Sequence, residues 1–287
     1  MTMSGIDDAA VRGRLAVNLS AAATDDLLAV LADLVDGARH ALTDNFLGAY
    51  LQGSFALGAG DADSDVDFLV VTAGDVDGAQ LAALADMHAR FPDSPVGWAQ
   101  HLEGSYIPAA ELRGPAGAGH GGGWLYVDNG SRRIEESSHD DTGLMRWVLR
   151  EHGIVLAGPA PVTLLEPVAP AELRTEAVAT ARRWQESIEA TDGTLSSALA
   201  QQQHVLALCR VLYTLEHAEV TSKELAARWA LRALDPRWRP LITRAIDERP
   251  HPWERVHQQA DERAVRNTYA FGAYASERSH TARRAQN

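Results

Sequence analysis

Gly53-Ser54-Phe55-Ala56-Leu57-Gly58, followed after an acidic turn by Ser64-Asp65-Val66-Asp67-Phe68-Leu69-Val70-Val71, carries the architecture of the N-terminal half. The run Phe68 to Val71 reads as a buried strand. Asp65 and Asp67 stand one residue apart at its head, and because strand side chains alternate with a period of two, both carboxylates project to one face. Like charges this close repel unless a divalent cation neutralises them, and an all-oxygen donor set with room for phosphate suits Mg²⁺ better than Zn²⁺. Upstream, Phe46 to Leu51 reads as another strand, ending at Gly53-Ser54. A tight turn opens there, where backbone N–H groups and the Ser54 hydroxyl can hold a triphosphate. An Asp-rich run such as Gly60 to Asp65 is, by itself, most often a solvated turn, and it lacks the glycine and terminal glutamate of a calcium loop. The strands on either side shift the reading to a nucleotide and metal site.

The chain has 287 residues, 46% of them hydrophobic, which is enough for two cored domains. One cysteine, Cys209, leaves no partner for a disulfide within the sequence and fits a reducing, cytoplasmic setting, with a small buried apolar role for the thiol. The first residues lack a basic start and an apolar core, and no segment approaches spanning length, so neither a signal peptide nor a membrane span is expected.

The net charge of −13 is unevenly distributed: residues up to Ala160 hold 23 acids against 9 bases, the remainder 16 against 17. An acidic half around the metal site argues against a nucleic-acid substrate, which calls for a basic stripe, and suits a small polycation. Of the 26 basic residues 25 are arginine, and Lys223 is the one lysine. A compact ammonium is not interchangeable with a planar guanidinium at a phosphate, so Lys223 is a candidate phosphate contact, although a single exposed lysine can also survive by chance.

Helical periodicity marks Ala23 to Leu42, Asp77 to Phe91 and Thr142 to His152, while Val96 to Tyr106, carrying Glu103, and Trp124 to Val127 read as further strands. Gly114 to Gly123 holds six glycines in ten residues and reads as a loop, and His120 within it has no partner at metal-ligand spacing. Glu135, Glu136, Asp140 and Asp141 could supply acidity toward a cationic acceptor, but read first as a solvated loop. Four prolines between Pro159 and Pro170 mark the domain boundary. Beyond it every segment is helical in pattern: Ala171 to Ala190, Leu195 to His217, Ser222 to Leu234, Pro236 to Glu248 and Trp253 to Ser276. Glu103 is the candidate base or third carboxylate. Arg210 and Lys223, the latter in the first turn after a Thr221 cap, are the candidate phosphate cations. Their bland alternatives are an exposed strand glutamate and a helix-surface ion pair with Glu216 or Glu219.

The Gly-Ser turn followed by Asp-x-Asp before apolar residues resembles the polymerase-β-type nucleotidyltransferases. A narrower resemblance, to aminoglycoside nucleotidyltransferases of the streptomycin/spectinomycin 3″(9) adenylyltransferase type, runs from about Ala49 to Leu241. It rests on Gly53-Ser54, Ser64-Asp65-Val66-Asp67, Leu102-Glu103, Arg150 to Pro159, Cys209-Arg210-Val211-Leu212-Tyr213-Thr214 and Ser222 to Ala230. The resemblance implies an α/β (α+β) nucleotidyltransferase domain with a mixed sheet, residues 1–158, followed by an all-α helical bundle, residues 159–287, with the substrates in the cleft between them. It also implies transfer of AMP from ATP to a hydroxyl of a small cationic acceptor. In that scheme Asp65 and Asp67 bind Mg²⁺, Glu103 is the base, Gly53, Ser54 and Ser64 meet the nucleotide, and Arg210 and Lys223 reach its phosphates. The partners expected are ATP and a small molecule, with no nucleic acid or membrane, and the chain is expected to be a monomer. Where relatives carry acidic residues that grip the antibiotic, this chain has Ser196, Ala200 and Gln203. Modification of a protein or RNA, and nucleotide binding without turnover, are the alternatives. The specific helical blocks count against the first, and the intact Asp65, Asp67 and Glu103 against the second.

Overall fold

The strand that follows Asp65 runs from Val66 to Thr72 and lies inside a six-stranded sheet. In the computed structural model, which describes residues 9–117, 123–190, 195, 197–250 and 252–286, the chain divides into two compact units, Met1–Val168 and Ala169–Asn287. The first unit contains helices α1 (Ala9–Leu15) and α2 (Ala21–Leu42), strand β1 (Phe46–Leu51), the single turn α3 (Gly53–Ala56), β2 (Val66–Thr72) and α4 (Gly78–His88). It continues through β3 (Leu102–Pro108), α5 (Ala109–Arg113), β4 (Trp124–Val127), β5 (Glu135–Ser137), α6 (Gly143–His152) and β6 (Ile154–Ala157). Sheet order is β5-β4-β3-β2-β1-β6. The β2–β3 pair is parallel and the others are antiparallel, so the sheet is mixed.

Alternation along the strands assigns each face its own core. Ala49, Leu51, Phe68, Val70 and Tyr106 pack with α2 and α4, while Tyr50, Leu69, Val71 and Ile107 pack with α5 and α6. Burial on both faces explains why β2 is almost continuously apolar. A Ser20 side-chain cap at Ala23 starts α2, and a reciprocal Asp77–Gln80 capping box starts α4.

Several boundaries differ from the sequence reading. Val96 does not begin a strand: Gly97–His101 forms a 3₁₀ turn that buries Trp98, and β3 starts at Leu102. The helix expected to Phe91 ends at His88, before a 3₁₀ turn containing Pro92. The division between units falls at Val168/Ala169, within the Pro159 to Pro170 segment but later than the expected 158/159 division. That segment packs on the first unit, where Tyr50 Oη donates to Pro159 O at 2.8 Å, Arg150 Nε donates to Leu165 O at 3.1 Å, and Leu164 and Leu165 are buried.

The second unit is helical: α7 (Pro170–Ala190), α8 (Ala198–His217), α9 (Lys223–Ala233), α10 (Arg239–Asp247) and α11 (Glu262–Gln286). Its core joins Ala177 and Ala181 to the apolar face of α8, to Ala226, Ala227 and Ala230 of α9, and to Phe271 and Ala275 of α11. The last helix begins at Glu262 and not near Trp253, because Pro252–Arg255 turns as a 3₁₀ segment and Asp261 caps the helix by accepting from Ala264 N. Among the described residues, no helix is long and apolar enough to cross a membrane.

Candidate active site

Parallel pairing of β2 with β3 sets Asp67 directly beside Glu103. Gln52, the residue after β1, joins the same row, since its backbone N–H donates to Asp67 O at 2.9 Å. Asp65 precedes β2 on the same face, and both aspartates are half-buried. The two carboxylates read from sequence as a metal pair and the one read as a base therefore share one edge of one sheet.

Gly53 faces this row. Its φ of +59° is left-handed, and a Cβ placed there would lie 1.9 Å from Asp67 Oδ2, so glycine is required twice over, by conformation and by space. The neighbouring Ser54 Oγ is buried and has no hydrogen-bond partner among the described residues. Arg14 and Asn18, in a segment that the sequence reading passed over, hold this turn from outside. Arg14 donates to Ala56 O at 2.7 Å, and Asn18 donates to the carbonyls of Gly58 and Gly60 at 3.2 Å each. Ser64 is buried, and its hydroxyl donates to Asp61 Oδ1 at 2.9 Å while accepting from Asp61 N, which closes the acidic turn on itself.

Glu103 is held on several sides. Tyr126, opposite Ser105 on β4, donates from Oη to Glu103 Oε1 at 2.6 Å. His139 Nε2 lies 3.5 Å from the same oxygen, and its ring packs against Tyr126. Burial pushes the Glu103 carboxyl above the ordinary carboxylate range; Asp65 and Asp140 push the same way, against the Tyr126 hydrogen bond and His139. Asn129 Nδ2 donates to Asp65 Oδ1. Tyr126, Asn129, His139 and Gln52 were not singled out by the sequence, because each acts through a contact distant in the chain.

The loop before α6 corrects the sequence reading. Glu135 and Glu136 are exposed on edge strand β5, but Asp140 and Asp141 are not solvated. Asp141 pairs with Arg146 at 2.9 Å, with both side chains almost fully buried, and Asp140 is 8% exposed. Burial raises the Asp140 carboxyl above its usual value, opposed by bonds from Ser105 and Gln52 and by His139.

In the second unit Arg210 is half-buried on α8, and Lys223 opens α9. The cap is Ser222, whose hydroxyl accepts from Leu225 N at 3.1 Å, and not Thr221. Glu216, considered as a partner for Arg210, lies 3.9 Å from Arg278. Ala200 and Gln203 lie on α8, whereas Ser196, like His120, falls outside the described residues. Cys209 is buried in the α8 core, which pushes its thiol upward and suits an inert apolar role.

Residues 163–271 match the family model for the aminoglycoside adenylyltransferase C-terminal domain. The chain is 27% identical to a spectinomycin 9-adenylyltransferase of Campylobacter jejuni over 78% of its own length and 87% of the relative's. It is 25% identical to an aminoglycoside (3″)(9) adenylyltransferase of Klebsiella pneumoniae over 81% of its length and 88% of the relative's. Its fold matches the crystal structure of spectinomycin adenyltransferase AAD(9) from Enterococcus faecialis with ATP and spectinomycin, with a TM-score of 0.65 at 16% identity, covering 88% of this chain and 98% of that one. Taken with the mixed sheet and its helical second unit, these likenesses support an enzyme of the aminoglycoside adenylyltransferase type.

Proposed function

We propose that the chain transfers AMP from ATP to a hydroxyl of a small, cationic, aminoglycoside-like acceptor and releases pyrophosphate. One observation carries the reading: Asp67 and Glu103 stand side by side across β2 and β3, with Asp65 and the Gly53-Ser54 turn against them. The names of the similar proteins support it.

The residues present fit Mg²⁺. Asp65 and Asp67 would hold it. Among the described residues no group of three His, Cys, Asp or Glu side chains is gathered as a complete cage. Mg²⁺ is suited by such a partial set, because it commonly takes one or two carboxylates and completes its shell from water and substrate phosphate. The close approach of Gly53 to Asp67 leaves the carboxylate room that any other side chain would fill. Bound there, the ion would neutralise the carboxylates and stabilise charge developing on the phosphate oxygens.

The protein's own residues supply the rest. Glu103, oriented by Tyr126 and His139 and made a stronger base by the burial that raises its carboxyl, accepts the proton of the acceptor hydroxyl when ionised. The freed oxygen attacks the α-phosphorus, the bond to the bridging oxygen breaks, and pyrophosphate leaves. Ser54, with its buried and unpartnered hydroxyl, and Ser64 are proposed nucleotide contacts, and Arg210 and Lys223 the cations for its phosphates. No carboxylate occurs on the chain from Thr194 through Tyr213, so spectinomycin, named in two of the likenesses, is the first acceptor to try and streptomycin the second.

Incubation with ATP, Mg²⁺ and either antibiotic, read by mass spectrometry, should give an acceptor heavier by one adenylyl group together with pyrophosphate. Folded protein that binds ATP but modifies neither these nor any other aminoglycoside would overturn the proposal.

A further inference from the structure

Two consecutive residues, His139 and Asp140, flank Glu103 in opposite environments. The His139 side chain is 60% exposed, whereas Asp140 is 8% exposed and both its oxygens are engaged. Oδ1 accepts from Gln52 Nε2 at 3.2 Å, and Oδ2 accepts from Ser105 Oγ at 2.7 Å. The turn that presents it is locked: Asp141 pairs with Arg146, Arg146 also donates to the carbonyls of Glu111 and Leu112, and Thr142 caps α6 at Met145 N. Gln52 immediately precedes Gly53 and holds Asp67 O through its backbone N–H. Ser105 lies two residues beyond Glu103 on the same face of β3. One carboxylate thus ties the end of β1 to β3, and β2, which presents Asp67, lies between those two strands. An ionised carboxylate accepts from both donors at once, which an amide of the same shape cannot do.

We infer that Asp140 is a positioning residue for the transfer: by bracing Gln52 and Ser105 it fixes the spacing of Asp67 and Glu103. The inference rests on the proposed roles of those two residues. It concerns geometry at the reacting atoms and not affinity for nucleotide, since the side-chain bonds of Asp140 go to Gln52 and Ser105.

The test uses the full chain with ATP, Mg²⁺ and spectinomycin, or streptomycin if that is the better acceptor. Asp140→Asn keeps the shape and loses one of the two acceptors, so kcat should fall on the order of tenfold or more, as expected when reacting groups are misplaced, while KM for ATP stays within about twofold. Gln52→Met cuts the same brace from its other end and should reproduce the split. The double variant should be no worse than the poorer single one, because both changes act through one connection. Should Asp140→Asn fail to fold, Gln52→Met decides alone. A folded variant with kcat within about twofold of the wild type, or losses that add independently, overturns the inference. Glu103→Gln is run alongside. If it loses turnover while the brace variants keep theirs, only the positioning role fails. If Glu103→Gln itself keeps turnover, the proposed function falls and the inference with it.

Discussion

At the scale of single residues, the site sets buried or half-buried carboxylates against one another, and this gives its chemistry a pH signature. The Glu103 carboxyl is raised chiefly by burial. A carboxyl that binds its proton more tightly in the native state than when unfolded costs stability as pH rises from its unfolded value through its folded one, because the unfolded chain releases that proton first. Glu103→Gln should therefore raise the melting temperature at neutral pH, with the gain fading as pH falls below the ordinary glutamate range. The same variant should lower turnover by on the order of 10²-fold or more while ATP affinity, measured by calorimetry, is kept. Lost affinity with a preserved rate would reassign Glu103 to binding. Asp65→Asn and Asp67→Asn are expected to abolish transfer without unfolding the chain, since each relieves repulsion between neighbouring carboxylates. Normal turnover by either at saturating Mg²⁺ would remove the metal assignment. Asp65 and Asp67 were legible in the sequence because strand periodicity projects them to one face, and Glu103 because the family resemblance singles it out on a neighbouring strand. Asp140 was not: Glu135 to Asp141 has the composition of a solvated loop, and its burial depends on Gln52 and Ser105, 88 and 35 positions away.

At the scale of elements, the turn between β1 and β2 illustrates how a short motif becomes a rigid part. The sequence announced the turn by its glycine and serine. What it could not show was that the Gly53 Cα packs on the carboxylate of Asp67, a contact made only when β1 and β2 pair. Gly53→Ala should thus act in two ways. The left-handed backbone costs roughly 1–2 kcal/mol for a residue bearing a Cβ, and the added carbon displaces Asp67. Denaturant unfolding should register the first effect and a loss of turnover the second; a variant with wild-type stability and rate would show that the close approach does not exist in solution. Long periodic elements such as α2, α6 and α8 were likewise legible, because apolar residues three and four apart leave few alternatives. Val96–His101 reads as the start of the strand that follows it, although Trp98 is buried from a 3₁₀ turn and its indole Nε1 donates to Ala23 O at 3.0 Å. The three-residue strand β5 is too short for any period to mark.

At the scale of the molecule, charge and the proposed site residues divide along the chain. Asp65, Asp67, Glu103 and the Gly53-Ser54 turn belong to the acidic first unit, whereas Arg210 and Lys223 belong to the second, where acids and bases nearly balance. A triphosphate placed among carboxylates alone would be repelled, and Arg210, Lys223 and Mg²⁺ are the cations proposed to offset that repulsion. Lys223 is the sharper test of the two, because a short, flexible ammonium at a helix start, with the Ser222 cap holding that end, is replaced poorly by the arginines this chain uses everywhere else. A ligand that binds only the native state raises its melting temperature in proportion to RT ln(1 + [L]/Kd). Lys223→Met should lower ATP affinity by about tenfold, about 1.4 kcal/mol, and shrink the thermal shift produced by ATP with Mg²⁺. Lys223→Arg should restore part of it, as the charge returns in a shape that fits less well. Equal shifts in Lys223→Met and wild type would show that the phosphates never meet this lysine, and the cationic part of the site would then rest on Arg210.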